Sequence, residues 1–467
     1  MNSEEFRRHG YQAVDWIAEY LENIRDYPVL AKVPPGELTE SLPLSAPDRG
    51  ESMSAILEDF EKQIVPAITH WNHPRFFAYF SISGSMPGIL AEFLAAALNV
   101  NGMLWKSSPA ATELEQVTLG WLRQWLGLPP EFFGIIYDTA SIATMHAIAA
   151  AREKADPESR TRGGRGDLVL YTSEQAHSSV EKGAITLGIG QDNVRKIGVD
   201  EEFRMRPDLL SEAIRQDRVA GRKPFCVVAT VGTTSTSSID PVEEIADIAD
   251  AHGLWLHVDA SYAGAAAVVP ELQFILQGAE RAHSFVMNPH KWLLTPVDLS
   301  AFYTREPETL KRAFSLVPEY LKTAEDPLAV NLMDYGVQLG RRFRALKLWF
   351  VMRYFGREGL ADMIRNHIAY AQKFADLVRN DPNFEIAAPV PFSLVCFRFR
   401  GSDQQNRDLM DSINTSGLAF LSHTMLNGRT VLRLAIGNIA TRWNDVEQVW
   451  DFLKRWAADQ QVERAHT

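Results

Sequence analysis

Cysteine is nearly absent from this chain: two residues in 467, Cys226 and Cys396. Both sit in strand-like apolar runs, which reads as two buried thiols in a reducing compartment and excludes a disulfide-built scaffold. Positive charge is also scarce, 47 Lys and Arg against 59 Asp and Glu, and the net charge of −12 argues against a nucleic-acid partner. The arginines at 152, 160, 162 and 165 lie in a Gly-rich stretch with intervening acids, which reads as a solvated connection. No apolar run is long enough to span a membrane, and Met1 to Arg8 contains no signal-like apolar region. These absences predict a cytoplasmic protein with no membrane partner. Metal ligands are sparse too: His70 and His73 are followed by Pro74, so they do not share a helical face, and no metal site is expected. Internal repeats and low-complexity tracts are lacking.

What is present is a large apolar fraction, 46%, enough for an extensive core and more than one domain. The apolar strand-like run Ser284 to Met287 is followed by Asn288-Pro289-His290-Lys291-Trp292. Most lysines are solvated surface cations. A lysine just past a buried strand, among Phe285, Val286, Met287, Trp292 and Leu293, is instead placed to have a depressed pKa and to hold an aldehyde as a Schiff base. Upstream, Leu254 to Val258 reads as another buried strand and delivers Asp259 at its carboxyl end. A lysine and an aspartate so placed are the pyridoxal phosphate (PLP) pattern, the aspartate holding the pyridinium nitrogen protonated so that the ring acts as an electron sink.

The intervening sequence predicts a strand at Phe225 to Val231 and then an N-cap at Asp240, with Pro241 at the first helical position and Glu243 completing a capping box. The helix should stop at Gly253, making 225 to 259 one right-handed strand–helix–strand unit. Parallel sheets bind ligands outside the carboxyl ends of their strands. Two further strands, Gly134 to Tyr137 and Asp167 to Tyr171, end at the same edge. The first leads through Asp138-Thr139-Ala140-Ser141 into a helix from Ile142 to Lys154, whose N-terminus suits a phosphate; Thr233 and Thr234 can add hydroxyls. The second leads to His177, which could lie over a cofactor ring.

Across most of its length the chain resembles the group II PLP-dependent decarboxylases, and within them the aromatic-L-amino-acid decarboxylases. The matching words are His70-Trp71 with Pro74 and Phe76 to Phe80; Ser108-Pro109-Ala110 with Thr112 to Glu115; Gln175 to Val180; Gly232-Thr233-Thr234; His257 to Ala260; Asn288 to Leu294; and Leu339 to Arg344. The resemblance implies an α/β fold of the PLP-dependent transferase fold type I, with a mostly parallel central sheet and helices on both faces. It makes Lys291 the Schiff-base lysine, Asp259 the pyridinium partner and His177 the stacking residue, with Ala140, Ser141, Thr234, Asn288 and His290 around the phosphate. The substrate pocket falls to Tyr79, Phe80, Ile82, Asn101, Met103, Trp105 and Gly340, and the substrate to an aromatic amino acid. It also implies a homodimer with shared active sites.

The chain departs from the family pattern where a loop tyrosine normally donates a proton. Ungapped matching back from Leu339 puts Leu332 there and Tyr335 on the family's tryptophan. Leucine cannot donate a proton. Tyr335 or Tyr320 is one replacement, His177 or Lys291 another. A third outcome is a carbanion that survives to meet oxygen, as in the family's aromatic aldehyde synthases. A non-catalytic PLP-binding partner is the remaining alternative.

Residues 1–75 begin with an amphipathic helix (Phe6, Ala13, Val14, Ile17, Leu21, Ile24) and continue through five prolines from Pro28 to Pro47, which suits a dimerisation arm. Residues 76–365 form the PLP-binding domain, closed by a helix from Arg341 that Gly356 ends, with Pro318 to Val337 as a mobile lid. Residues 366–467 form a small C-terminal α/β domain, with a helix at Tyr370 to Arg379, strands at Leu394 to Phe399 and Thr430 to Ile436, and a helix from Asp445 to Trp456.

Overall fold

The computed structural model describes residues 1–316 and 329–466. Tyr320 and most of the expected lid lie outside the described residues.

Two compact units are formed, one from Met1–Ser81, Gln372–Ala387 and the chain from Val395 onward, the other from Ile82–Ala371 and Ala388–Leu394. In the second unit a seven-stranded sheet is built from β1 (Phe133–Tyr137), β2 (Leu168–Ser173), β3 (Val194–Ile197), β4 (Lys223–Thr230), β5 (Trp255–Asp259), β6 (Ser284–Met287) and β7 (Ser300–Thr304). Their order is β1-β7-β6-β5-β4-β2-β3, and only β7 runs against its neighbours β1 and β6. The carboxyl ends of β1, β2, β4, β5 and β6 therefore share one edge.

Alternation along the strands sends successive residues to opposite faces. Leu168 and Leu170 of β2 pack with Ala143, Ala147 and Ala151 of the Ala140–Ala155 helix. Tyr171, one residue on, donates its hydroxyl to Asp217 of the Pro207–Val219 helix at 2.8 Å. The sheet thus carries helices on both faces. Alanines dominate the Ala140–Ala155 helix because it lies close against the strands, where larger side chains would overfill the layer.

Local signals held unevenly. Gly253 adopts φ 65° and closes the Val242–His252 helix as expected. The capping box at Asp240 does not form. That carboxylate turns inward and accepts the backbone N–H groups of Met205 (2.7 Å) and Thr230 (2.8 Å), and burial pushes its pKa up to about 6. Two buried donors, Thr230 at the end of β4 and Met205 ahead of the Pro207–Val219 helix, outbid a solvent-side cap. The helix expected from Arg341 starts at Ala345, because Arg341 is engaged elsewhere; Gly356 (φ 64°, ψ 177°) breaks it as expected, and a second helix follows to Asn380.

The other unit holds a four-stranded sheet in the order β10-β11-β9-β8, from β8 (Phe384–Ile386), β9 (Leu394–Phe399), β10 (Ser422–Leu426) and β11 (Arg429–Ala435). Phe76 and Phe77 join it through Phe77 N–H to the Phe420 carbonyl and Ala435 N–H to the Phe77 carbonyl, both 2.9 Å. The Ser3–Glu22 helix, capped by Asn2 and Glu5, buries none of its residues completely.

Candidate active site

Lys291 sits in the single turn Pro289–Trp292 directly after β6. Its neighbours Pro289, His290 and Trp292 are buried, and the lysine itself is half-buried. Trp292 is wedged between a stacked Tyr262 ring (4.8 Å) and Phe392, and its indole N–H donates to His367 Nδ1 at 3.0 Å. That tryptophan is a fully buried anchor that fixes the turn. Burial lowers the Lys291 pKa, opposed by the Asp259 carboxylate. A lysine so placed spends more of its time as the neutral, nucleophilic amine.

Asp259 ends β5, next to β6 in the sheet. Its Oδ1 accepts from both the N–H (3.0 Å) and the hydroxyl of Ser261. Oδ2 is left to accept from another donor. Ser261 was missed in the sequence, although a serine two residues after an aspartate is a readable turn signal. Asn288 is fixed between the Ser261 carbonyl, which accepts its N–H at 3.0 Å, and Ser300, which donates to its Oδ1 at 2.6 Å. His290 accepts the Leu299 N–H on Nδ1 (2.9 Å), and burial takes its pKa down to about 4, so it is a neutral ring with its proton on Nε2.

His177 lies in the loop after β2 with an open face to solvent. The Ser179 N–H donates to its Nδ1 at 3.1 Å, and the Ser179 hydroxyl is 2.9 Å away. Its neutral ring therefore presents Nε2–H. Burial of the rest of the ring lowers its pKa, with Asp259 pulling up and Lys291 and Lys182 pushing down. His177, Asp259 and Lys291 thus feel one another's charge and form one cluster at the carboxyl edge of the sheet.

Ala140 and Ser141 open the sixteen-residue helix after β1, capped by Thr139, and Ser141 is exposed. Thr234 is likewise exposed, following Gly232, whose φ of 89° and 2.5 Å approach of an added Cβ to Ala263 admit only glycine. Thr233 is turned away: its hydroxyl is buried in a chain with Thr236 (3.0 Å) and the Ser238 N–H (3.0 Å).

The expected substrate residues divide. Asn101, Met103, Trp105 and Gly340 come together, for Asn101 Oδ1 accepts the Arg341 N–H (2.9 Å), the Met103 carbonyl accepts the Met333 N–H (3.1 Å), and Trp105 N–H reaches Asn331 (3.1 Å). An added Cβ on Gly340 would meet Asn101 at 4.0 Å. Ile82 is half-buried in the same unit. Tyr79 and Phe80 belong to the other unit, where Tyr79 stacks on Trp71 at 5.8 Å and Phe80 lies under the Arg433 guanidinium at 5.3 Å.

Tyr335 does not join the cluster. It closes a short 3-10 turn, Leu332–Tyr335, all four residues of which are buried. Its ring packs on Phe133, at the amino end of β1, with ring centres 5.1 Å apart, and its carbonyl accepts the Tyr137 hydroxyl. Burial pushes its phenol pKa up to about 12. This packing holds the phenol in an apolar layer with its proton tightly kept, which speaks against the expectation that Tyr335 supplies a proton. Among the described residues no group of three or more His, Cys, Asp or Glu is arranged to hold a metal ion, and no helix is long and apolar enough to cross a membrane.

A sequence profile of the pyridoxal-dependent decarboxylase conserved domain matches residues 35–400. The chain is 43% identical to an aromatic-L-amino-acid decarboxylase of Bos taurus, over 98% of this chain and 97% of that protein. It is 42% identical to a phenylacetaldehyde synthase of Arabidopsis thaliana, again over 98% and 97%. The crystal structure of Oryza sativa TDC with PLP and tryptamine superposes with a TM-score of 0.96 at 37% identity, covering 98% of this chain and 99% of that one. The lysine, aspartate and histidine at the carboxyl edge of the sheet fit the pyridoxal cofactor of the matched domain and of the rice structure, and the chain belongs to the group II PLP-dependent decarboxylases.

Proposed function

We propose that this chain decarboxylates an aromatic L-amino acid to the corresponding arylalkylamine and carbon dioxide. The observation that carries the reading is the Lys291, Asp259 and His177 cluster at the carboxyl edge, and the named activities of the relatives support an aromatic substrate. PLP, when bound, supplies an electron sink for the pair released as the carboxylate departs. Lys291, with its lowered pKa, is the amine that engages the cofactor aldehyde and yields it to substrate. Asp259, its Oδ1 pinned by Ser261, keeps Oδ2 as the acceptor for the ring nitrogen. The helix N-terminus at Ala140 and Ser141, together with Thr234, Asn288 and His290, is the proposed phosphate seat. His177, exposed and with a proton on Nε2, is the proposed donor to the alpha carbon. Asn101, Met103, Trp105, Gly340 and Ile82 are the residues proposed to select the side chain.

A second reading has its own support: Leu332 stands where the family's proton-donating tyrosine is expected and is buried, and one relative is an aldehyde synthase. Product analysis under air decides between them. Purified protein with PLP is given phenylalanine, tyrosine, DOPA, tryptophan and 5-hydroxytryptophan separately while amine, aldehyde and peroxide are followed. Amine with little peroxide is expected; stoichiometric aldehyde and peroxide would establish the second reading, and preference for glutamate would overturn both. In the same assay Tyr335→Phe should fall far short of the ~10²–10⁴-fold loss that removal of a general acid causes, whereas His177→Gln should approach it or divert product to aldehyde.

The cytoplasm is the proposed location, and a homodimer the proposed assembly. The Met86–Leu98 helix exposes Met86, Leu90, Phe93, Leu94 and Leu98 along one face, an apolar stripe that a lone chain leaves in water. The Ser3–Glu22 helix leaves Phe6, Tyr11 and Val14 exposed as well, which suits residues 1–75 as a dimerisation arm. Sedimentation should give a dimer, and Leu90→Glu combined with Leu94→Glu should give monomer at micromolar concentration; an unchanged dimer would remove this face from the interface.

A further inference from the structure

His146 lies six residues into the Ala140–Ala155 helix, fully buried, and the cofactor reading above gives it no task. Its ring stacks on Tyr137 (4.3 Å) and packs at a tilt against Phe314 (4.5 Å). Nδ1 is 2.7 Å from the Ile142 carbonyl, and Nε2 is 3.2 Å from the Val337 N–H. A carbonyl can only accept and an amide N–H can only donate, so both contacts are satisfied by one species: the neutral ring protonated on Nδ1. Burial, which takes the pKa down to about 4 against upward pulls from the Ile142 carbonyl and Asp138, agrees with that species. Protonation would aim an Nε2–H at the Val337 N–H.

The Val337 contact is one of a set. The Tyr335 carbonyl accepts from Tyr137, and Gln338 Nε2 donates to Asp138 Oδ2 at 3.2 Å. Asp138 in turn holds the Thr139 N–H, and Thr139 caps the helix that begins at Ala140. The run Tyr335–Gln338 therefore lies along the strand end that leads into the proposed phosphate seat. Gly336 is what lets it lie so close. An added Cβ would sit 2.8 Å from His146 Nε2 and 3.2 Å from Tyr137. Its φ of −169° is open to any residue, so the requirement is space alone.

We propose that His146 is a positioning residue: its bare Nε2 fastens Gly336–Gln338 to the helix and so steadies the Asp138–Ser141 loop that receives the cofactor phosphate. This rests on the PLP assignment above.

The test compares His146→Leu, which removes the acceptor, with His146→Gln, which keeps one, and with Gly336→Ala, which pushes the segment off while leaving the ring intact. Hydrogen exchange of the peptide containing Val337 is measured in the holoprotein at pH 7, and PLP affinity by titration of the apoprotein. Exchange should rise about tenfold or more in His146→Leu and in Gly336→Ala, the scale of one lost hydrogen bond with a stranded amide, and PLP affinity should fall with it. His146→Gln should stay near wild type in both. Unchanged exchange in His146→Leu, increased exchange with unchanged PLP affinity, or a Gln variant as impaired as the Leu variant would each overturn the proposal. Should His146→Leu fail to fold, Gly336→Ala and His146→Gln still decide it. Exchange reads out the fastening without substrate, so failure here is distinct from failure of the decarboxylase reading, which product analysis alone tests.

Discussion

Lys291→Ala should abolish turnover, with amine formation reduced on the order of 10⁴–10⁶-fold, the range seen when a covalent-catalysis group is deleted. The loss has two sources. The variant loses the amine that engages the cofactor, and it loses the group that returns to displace product. Both depend on a lysine able to shed its proton, which is why its partial burial beside Pro289, His290 and Trp292 matters. Lys291→Arg should be no better, because a guanidinium stays charged and cannot attack an aldehyde. Borohydride reduction followed by peptide mapping gives an independent reading. In the wild-type protein the cofactor mass should be fixed on the peptide carrying Lys291, and in Lys291→Ala on none. Turnover retained to within tenfold, or label on another lysine, would remove Lys291 from the centre of the reaction.

Arg341→Leu should destabilise the protein by about 3–5 kcal/mol, the usual cost of removing one partner from a buried ion pair. Arg341 Nη2 donates to Glu115 Oε1 at 2.8 Å and to the Ile136 carbonyl at 2.7 Å, and the two side chains are 8% and 5% exposed. The same Glu115 oxygen accepts the Ile136 N–H at 2.8 Å, so the pair ties the Pro109–Leu126 helix to β1. Backbone bonds from Arg341 to Asn101 and Gly102 extend the tie to the proposed substrate loop. Leucine would leave a carboxylate buried with no cation. Thermal unfolding should show a midpoint lower by several degrees. Glu115→Leu should cost a similar amount, and the double variant much less than the sum, because it removes both charges together. Additive losses would mean the pair is not a coupled unit.

Leucine at 332 and tyrosine at 335 mark where sequence matching reached its limit. The count back from Leu339 identified the departure from the family pattern, but a count cannot say which way a side chain points. Burial answered that for Tyr335, whose ring completes an apolar layer against Phe133. The capping box at Asp240 failed for a related reason, since a local motif competes with tertiary partners and two buried N–H groups outweigh one exposed cap.

The sequence by itself determined the strand-ends on which the chemistry rests. Ser284–Met287 was legible as a strand with the bounds it has, β5 was legible to within a residue, and a lysine and an aspartate at the ends of two buried apolar runs carry their own chemical meaning. Those features are local, encoded in residues adjacent in the chain. Tertiary structure alone decided the rest. Ser261 pins Asp259 by a turn, but Ser300 reaches Asn288 from an antiparallel strand that no local pattern announced. Arg341 finds Glu115 across more than two hundred residues, and His146 meets Val337 across almost as many. Such partners are chosen by packing, which obliges every buried donor and acceptor to find its match wherever the fold brings one within reach.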